Sequence, residues 1–279
     1  MMSNFSTLDN LLAFGIVYLK NSNISNYKKE AEWLLLNIID KNSTWFITNK
    51  NCEPTDIHIH NYLESIYKRS DHIPLQLIMG SASFYGRDFI VYPDVFIPRP
   101  DSETIIDIIK KKTFKTVIDI GCGTGCIGIT LSLEIFNIFI DVMDVSNIAI
   151  ENTNANIKYL EPLSIRHVFQ DDILISTPNH SYDLIVSNPP YISLNDVKKL
   201  EHSVQYYDPL NALSDLGDGL SFYKRIFNLS KTMLNKGGSI ILEFGKDEQI
   251  QQIIDTFIEF KYYIYNDISN KPRVIELKK

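Results

Sequence analysis

The sequence predicts an α/β protein with a mostly parallel β-sheet flanked by helices and a small helical domain before it. Two patterns predict this architecture. From about residue 101, short apolar runs typical of buried strands alternate with segments whose apolar residues recur at helical spacing. Before residue 80, helical spacing dominates. Since strands that alternate with helices form parallel sheets, we expect a sheet covered on both faces.

The first 80 residues form the predicted helical domain. The segments with helical spacing are LDNLLAFGIVYLK, YKKEAEWLLLNIID and IHIHNYLESIYKRSDHIPLQLIMG, the last interrupted around Asp71–Pro74. Aromatic and polar residues then alternate around Gly86, as in a β-hairpin, and this stretch ends in IPRP. We therefore predict domains of residues 1–80 and 101–279, joined by a hairpin connector of residues 81–100.

The second domain contains six predicted strands, with predicted helices in four of the five intervals between them. The strands lie in TVIDIG, IFIDVMDVS, residues 165–170, YDLIVSNPPYIS, GGSIILEFG and PRVIELKK. The helices lie in CIGITLSLEIF, NIAIENTNANIKYL, GLSFYKRIFNLSKTML and DEQIQQIIDTFIEF. This order is typical of consecutive βα units.

The composition is that of a globular protein with an acidic balance. Lys+Arg 27 against Asp+Glu 34 give the 279 residues a net charge of −7, so no overall positive field attracts nucleic acid or an anionic membrane. Three cysteines without disulfide-framework spacing fit a reducing compartment. The sequence shows neither a basic leader nor an apolar run of membrane-spanning length. We expect a cytoplasmic monomer that contacts neither a membrane nor nucleic acid directly. His58 and His60 form a His-X-His pair without a nearby third ligand, so no metal site is predicted.

DIGCGTGCIG, residues 119–128, is a glycine-rich turn between a predicted strand and a predicted helix. Gly121, Gly123 and Gly125 allow a tight turn and a close approach of the backbone to a ligand. A plain tight connection and a dinucleotide site are the alternatives, because GxGxxG-type matches are weak signals. No Lys-Ser/Thr pair follows the glycines, which disfavours a phosphate-binding P-loop.

Carboxylates near this turn favour a cationic nucleoside ligand. Asp119 precedes the first glycine by two residues and suits an amino group or a sulfonium. Asp144 ends the next strand, where an acid binds ribose hydroxyls in nucleotide-binding folds. S-adenosylmethionine carries all these groups and is the predicted cofactor. In FQDDIL, Asp172 is predicted to accept from the adenine amino group and Ile173 to pack on its ring.

A rigidly held amide follows the fourth predicted strand, in IVSNPPYISL, residues 185–194. Proline is excluded from central strands and pushes the preceding residue into an extended conformation, so the strand ends at Asn188. Ligands bind at the carboxyl edge of open α/β sheets, which places Asn188 in the cofactor crevice. A Pro-Pro turn with an asparagine cap is the structural alternative.

An amide at this position suits methyl transfer to a planar nitrogen. The NH₂ of an amide or an aminopurine is a poor nucleophile because its lone pair is delocalised. If the Asn188 side-chain oxygen and the Pro189 carbonyl accept its two hydrogens, the lone pair points to the sulfonium methyl, so the main contribution is positioning. Charge that develops on the nitrogen is also stabilised. We predict Asn188, Pro189, Pro190 and Tyr191 as the catalytic and substrate-binding residues, with Tyr191 packed on the flat substrate group.

From about residue 74 to its end, the chain resembles the release-factor glutamine methyltransferases. The resemblance is carried by PLQLIMGSASFYGRDFIVYPDVFIPRPDSE, VIDIGCGTGCIGITL, DVMDVSNIAIENTNAN, YDLIVSNPPYI, YYDPLNALSDLGDGLSFYKRI and ILEFGKDEQ. NPPY alone does not distinguish adenine, guanine and glutamine, whereas IPRP, NPPYI and GDGL together are specific. The resemblance implies a Rossmann-like class I methyltransferase fold and methylation of the glutamine side-chain nitrogen in the GGQ tripeptide of peptide chain release factors, in translation termination. It also implies that the helical domain recognises the substrate.

The resemblance further assigns roles by position. Residues 121–125, Asp144 and Ile173 would contact the cofactor, and residues 188–191 would hold the glutamine. Arg99, fixed between two prolines, is either a structural anchor or a contact for the incoming substrate loop. The full predicted cofactor-binding set is Asp119, Gly121, Cys122, Gly123, Thr124, Gly125, Asp144, Asp172, Ile173 and Asn188.

Three positions depart from the usual pattern of that family. Asp101, Ser102 and Glu103 stand where the family usually has the ETE of PRPETE. Asp208 replaces the glutamate of YEP, and Ile173 replaces a frequent aromatic residue, so we expect weaker stacking on adenine.

Other functions fit the sequence less well. An amino-methyltransferase of DNA adenine or ribosomal RNA would share NPPY and the glycine turn but should carry a basic recognition region. A non-catalytic cofactor-binding protein would be expected to lose Asn188 or the glycines, and all are present. A nicotinamide dehydrogenase has no use for NPPY.

Overall fold

The computed structural model describes residues 5–279, apart from the side chain of residue 202. The chain divides after Gly80 into two compact units. The second unit has the predicted α/β fold with a mainly parallel sheet, which confirms the fold class. No helix of the described chain is both long and apolar enough to cross a membrane.

The described part of the first unit, residues 5–80, contains five helices: α1 (Leu8–Asn21), α2 (Tyr27–Ile39), α3 (Ser43–Asn49), α4 (Asp56–Ser70) and α5 (Leu75–Met79). The helical pattern of the sequence predicts all of them except α3, which is too short to show a clear period. Thr7 and Thr55 begin α1 and α4, since their hydroxyl oxygens accept from backbone N–H groups of the first turn.

Tyr62 of α4 is the centre of this helical core and is fully buried. Its hydroxyl donates to the Ala31 carbonyl of α2 at 3.2 Å. A Cβ on Gly15 of α1 would meet the same hydroxyl oxygen at 2.1 Å. Only glycine at this position lets α1 and α4 pack so closely.

The second unit begins with the predicted hairpin, formed by β1 (Ser81–Phe84) and β2 (Arg87–Ile90). Its two-residue turn has positive φ at Tyr85 and Gly86, as tight hairpin turns require. The hairpin packs on the α/β unit: the backbone N–H groups of Ile90 and Tyr92 donate to the side chains of Asn156 and Asn152 at 2.7 and 2.9 Å. The segment predicted as a connector therefore packs as part of the second unit.

Seven strands form the main sheet in the order β5-β4-β3-β6-β7-β9-β8. Their bounds are β3 (Thr116–Ile120), β4 (Phe139–Asp144), β5 (Ile165–Gln170), β6 (Tyr182–Ser187), β7 (Leu234–Glu243), β8 (Lys261–Asn266) and β9 (Pro272–Lys278). Neighbours from β5 to β7 are parallel, whereas β9 is antiparallel to β7 and β8. The sequence did not predict β8, because this edge strand has no buried apolar run.

The helices of this unit are α6 (Glu103–Ile109), α7 (Cys126–Glu134), α8 (Asn147–Leu160), α9 (Leu194–Val197), α10 (His202–Tyr207), α11 (Leu210–Leu213), α12 (Ser221–Met233) and α13 (Asp247–Thr256). A single 3₁₀ turn, Pro100–Ser102, precedes α6. The three short helices α9–α11 all lie between β6 and α12, in a stretch without clear periodicity.

Both faces of the sheet are buried, as predicted. Val117 and Ile118 are neighbours on β3 and fully buried, yet belong to different apolar clusters. The cluster of Val117 includes α6 and α7, and that of Ile118 includes α12 and α13. The sheet is thus the middle layer of three, and the carboxyl ends of β3, β4, β5 and β6 meet at one edge.

Candidate active site

A cavity of about 810 Å³ opens at this carboxyl edge. Its wall includes residues 121–124 after β3, 144–146 at the end of β4, 171–174 after β5 and 187–192 at the end of β6. Residues between 94 and 102 and between 204 and 222 complete it. The volume is that of a small-molecule site.

The glycine turn leaves β3 through left-handed backbone positions. Gly121, Gly123 and Gly125 have φ of +73°, +57° and +79°. A Cβ on Gly125 would meet the Ile129 side chain at 2.9 Å, whereas one on Gly121 meets nothing within 4 Å. Gly125 therefore packs the turn against α7, and Gly121 presents bare backbone to open space in the cavity wall.

Asp144 connects the glycine turn to the end of β4. Its Oδ2 accepts from the backbone N–H of Gly123 and its Oδ1 from that of Ser146, both at 2.9 Å. Burial raises the pKa of this carboxyl. Since each carboxylate oxygen has more than one acceptor site, Asp144 can still accept from a ligand hydroxyl in the cavity that it lines.

Asp119 lies behind the glycine turn and does not line the cavity. It is fully buried, and its Oδ2 accepts from the backbone N–H of Gly128 in α7 at 2.9 Å. Burial raises the pKa of Asp119 to about 7. Asp119 thus anchors the start of α7, a role that sequence reasoning missed.

Two polar atoms near the turn are buried without a partner among the described residues: Asp119 Oδ1 and Thr124 Oγ1. Thr124 lines the cavity. Buried polar atoms normally have hydrogen-bond partners, so the hydroxyl of Thr124 in the cavity wall fits a ligand with polar groups held against the glycine turn. A contact between Asp119 and the cofactor stays a prediction. It would have to use Oδ1, because Oδ2 already accepts from Gly128.

The loop after β5 brings Asp172 and Ile173 to the cavity wall. Asp172 Oδ1 accepts from the backbone N–H of Leu174 at 2.9 Å, and Ile173 is buried. Arg225 of α12, which the sequence did not single out, holds this loop by donating to the carbonyls of Ile173 and Ser176 at 2.8 and 2.7 Å.

Asn188 enters the cavity wall at the end of β6. Its Nδ2 donates to Ser102 Oγ at 3.2 Å, and that hydroxyl donates to Glu243 Oε2 at 2.5 Å. The amide is thereby tied to β7, which leaves its oxygen for the cavity. Sequence reasoning missed Ser102 and Glu243, although an acid that ends the apolar run SIILE is a visible signal.

Pro189, Pro190 and Tyr191 follow Asn188 along the cavity wall. The Tyr191 hydroxyl donates to Glu243 Oε1 at 3.3 Å, and burial raises the pKa of Tyr191. A Cβ on Gly245 would meet the tyrosine ring at 2.6 Å, and one on Gly219 would meet its carbonyl oxygen at 2.3 Å. The last glycine of GDGL thus makes room for the NPPY backbone.

Arg99 is an anchor in this structure. Its Nη2 lies 2.5 Å from Asp208 Oδ2, and its guanidinium lies 5.2 Å from the ring centre of Phe96. All three residues line the cavity. A contact between Arg99 and a substrate loop stays a prediction.

The two cysteines of the turn are not activated thiols. Cys122 and Cys126 are buried, and burial raises the pKa of the first well above its usual value and that of the second to about 12. The thiolate is the reactive form, so their small size accounts for their presence better than nucleophilic chemistry. Among the side chains that the structure describes, no three from His, Cys, Asp or Glu group as metal ligands.

Comparison with known proteins identifies the family. A model described as "Methyltransferase small domain" matches residues 98–204, and one described as "PrmC N-terminal domain" matches residues 10–80. A release factor glutamine methyltransferase of Clostridium botulinum is 33% identical over 98% of this chain and 99% of its own length. The chain belongs to the release factor glutamine methyltransferases.

Other similarities agree with this family. A release factor glutamine methyltransferase of Bacillus subtilis is 31% identical, over 78% of this chain and 79% of its own. A methyltransferase from Pyrococcus furiosus superimposes with a TM-score of 0.53 at 17% identity, covering 71% of this chain and 91% of the other, which shows the shared fold. As a methyltransferase of this family, the chain uses S-adenosylmethionine. The unpartnered Thr124 hydroxyl and the open glycine backbone of the cavity wall fit that cofactor.

Proposed function

We propose that this chain transfers a methyl group to the side-chain amide nitrogen of the glutamine in the GGQ tripeptide of peptide chain release factors. Besides family membership, one structural observation supports the proposal. Asn188 stands in the cavity wall with its NH₂ turned to Ser102, so its oxygen is the atom left for a substrate donor. An amide NH₂ is such a donor.

The residues at the end of β6 position the nucleophile. Asn188 Oδ1 and the Pro189 carbonyl accept the two amide hydrogens and thereby hold the nitrogen and its lone pair in one direction. S-adenosylmethionine supplies an electrophilic methyl group when it is bound. As the nitrogen becomes positive, the two oxygens stabilise the developing charge, and the proton leaves to solvent afterwards.

The residues proposed to hold the cofactor lie at the carboxyl ends of β3, β4 and β5. The open backbone at Gly121 and Gly123 allows close approach, and Asp144 accepts from the ribose hydroxyls. Asp172 accepts from the adenine amino group, and Ile173 contacts the ring. The burial of Ile173 and the two bonds from Arg225 support this assignment, because they fix the loop that presents both residues.

The helical unit is proposed to recognise the release factor. A groove of about 530 Å³ on this unit is lined by Trp33 and Trp45, among others, and Trp33 is 46% exposed. Half-exposed tryptophans are typical of protein-binding surfaces. A Trp33→Ala variant should raise KM for a release factor and leave kcat unchanged.

Charge opposes the nucleic-acid alternative. Six aspartates but only one arginine line the cavity: Asp94, Asp144, Asp171, Asp172, Asp208, Asp215 and Arg99. Nucleic-acid sites are typically rich in Lys and Arg, because phosphate contacts dominate affinity. A DNA or RNA strand would therefore meet an unfavourable field here.

A competition assay tests the proposal. The protein is incubated with methyl-labelled S-adenosylmethionine and a mixture of a purified release factor, genomic DNA and ribosomal RNA. We expect label on the release factor alone and none with Asn188→Ala, whose affinity for S-adenosylhomocysteine should stay close to that of the wild type. Label on DNA or RNA, or normal turnover by Asn188→Ala, would contradict the proposal.

A further inference from the structure

Ser102, Glu243 and Asn188 form a chain of hydrogen bonds in which Ser102 and Asn188 line the cavity and Glu243 lies behind them. Ser102 and Glu243 are each 2% exposed. Ser102 Oγ lies 2.5 Å from Glu243 Oε2 and 3.2 Å from Asn188 Nδ2. The three residues come from the 3₁₀ turn after IPRP, the end of β7 and the end of β6, so three separate segments meet at one hydroxyl.

The chemistry of the chain fixes the direction of each bond. Above about pH 7 Glu243 is ionised and can only accept, so the single proton of Ser102 is then committed to Glu243. Ser102 then offers only lone pairs to its other neighbour. Of the two ends of the Asn188 amide, only NH₂ can meet a lone pair, and the oxygen is left on the cavity side.

We propose that Ser102 and Glu243 are positioning residues that set the orientation of the Asn188 amide, so that its oxygen and not its NH₂ faces the substrate nitrogen. The inference rests on the proposed function for the identity of the substrate. The orientation also explains why the site would select glutamine over glutamate. The Asn188 oxygen accepts a hydrogen bond, which the amide NH₂ of glutamine can donate and the carboxylate of glutamate cannot.

The surroundings of Glu243 support a fixed acceptor. The Tyr191 hydroxyl donates to its other oxygen at 3.3 Å. Asp101 and Arg273 lie next to it as an ion pair of 3.4 Å, and Tyr223 donates to its backbone carbonyl at 2.7 Å. Burial, and to a smaller extent the charge of Asp101, raise the pKa of Glu243 to about 7 against the opposing effects of Ser102, Arg273 and Tyr191, so Glu243 is a pure acceptor above that pH.

Loss of the Ser102 hydroxyl removes the preference between the two amide orientations. The amide of Asn188 can then turn by about 180°, which exchanges its donor and acceptor ends with little change in shape. The turned amide presents NH₂ to the cavity. It matches a carboxylate and repels an amide NH₂, so the change should appear in substrate discrimination as well as in rate.

The test compares Ser102→Ala, Ser102→Thr and the matched control Ser230→Ala. Ser230 is equally buried but lies in α12, outside the cavity wall, and donates to its own helix at Phe227. We expect Ser102→Ala to lower kcat about 10- to 100-fold, with Ser102→Thr largely restored and Ser230→Ala unchanged. Normal kcat in Ser102→Ala would overturn the inference.

Binding of an altered release factor separates orientation from a general loss of structure. The dissociation constants of a GGQ and a GGE release factor are measured for each variant. We expect the preference for GGQ over GGE to fall about tenfold in Ser102→Ala and to be kept in Ser102→Thr. An unchanged preference, with a melting temperature that has dropped, would show a merely structural serine and overturn the inference.

A double-mutant cycle tests Glu243. Glu243→Gln can still accept from Ser102, but can also donate to it, so we expect a partial loss of kcat. Glu243 also accepts from Tyr191, so some loss can be independent of Ser102. Because the two residues share one bond, the loss of kcat in Ser102→Ala/Glu243→Gln should still be smaller than the product of the two single losses. Losses that simply multiply would contradict the shared role.

An amide-exchange measurement keeps this inference distinct from the proposed function. In the free protein, the Asn188 side-chain NH₂ signal, identified by its loss in Asn188→Asp, should exchange slowly and should lose protection in Ser102→Ala. Protection without methylation of any release factor would contradict only the proposed function. Rapid exchange in the wild type would contradict the inference even if release factors are methylated.

Discussion

Arg99 and Asp208 form an ion pair in the wall of the cavity, with Nη2 2.5 Å from Oδ2, although 109 positions separate them in the chain. Only 1% of the Asp208 side chain is exposed. Burial raises the pKa of this carboxyl, and the neighbouring guanidinium opposes that shift. The pair therefore ties the segment before α6 to the segment before α11, and the shorter acid of YDP still reaches its arginine.

Arg99→Ala should destabilise the protein, because it leaves the buried Asp208 without its cation. We expect a loss of about 1–3 kcal/mol in the free energy of unfolding. Arg99→Ala/Asp208→Asn should recover part of this loss, since the second change removes the uncompensated charge. Urea unfolding of the wild type, Arg99→Ala and the double variant measures the effect, and a double variant less stable than Arg99→Ala would contradict it.

Asp144→Ala should weaken cofactor binding, because it removes both a cavity acceptor and the bond to Gly123. We expect the dissociation constant for S-adenosylhomocysteine to rise at least about tenfold in calorimetry. Asp183→Ala is a matched control: Asp183 also accepts from two backbone N–H groups, those of Lys115 and Thr116, but does not line the cavity. Equal affinities in Asp144→Ala and Asp183→Ala would remove Asp144 from the cofactor site.

Asp119 should make stability depend on pH. Its pKa is raised from 3.8 to about 7, so its protonated form contributes stability that is fully present below pH 3.8 and is lost as the pH rises to about 7. Asp119→Asn keeps the acceptor for Gly128 and cannot ionise. Relative to this variant, the wild type should lose up to about 1.4 kcal/mol per pH unit between pH 4 and 7. Urea unfolding across this range checks the expectation, and parallel stability curves would contradict it.

The fold could be predicted from the sequence where apolar patterns are strong. The central parallel strands β3, β4 and β6 show such patterns, because both of their faces are buried. The edge strand β8 could not be predicted, because its residues Lys261, Tyr262 and Tyr263 are exposed and give no buried run. The short helix α3 escaped for a related reason: seven residues are too few for a period.

The candidate site could be predicted only as far as local motifs reach. The glycine turn and NPPY lie at strand ends, and a motif with the strand before it predicts its place in the sheet. The partner of Asn188 could not be predicted, because Ser102 and Glu243 are brought to it by tertiary packing over 86 and 55 positions of chain. For Asp119 the local motif was misleading. Its spacing to the glycines predicts a ligand contact, whereas in the structure one of its oxygens accepts from the backbone of α7.

Fragment mass spectrometry of the release factor tests the central claim most directly. A purified release factor is incubated with the protein and S-adenosylmethionine, digested, and its GGQ peptide is fragmented to locate any added methyl group. We predict one methyl group on the glutamine side chain with the wild type and none with Asn188→Ala. An unmodified GGQ peptide, or a methyl group on any other residue, would contradict the account.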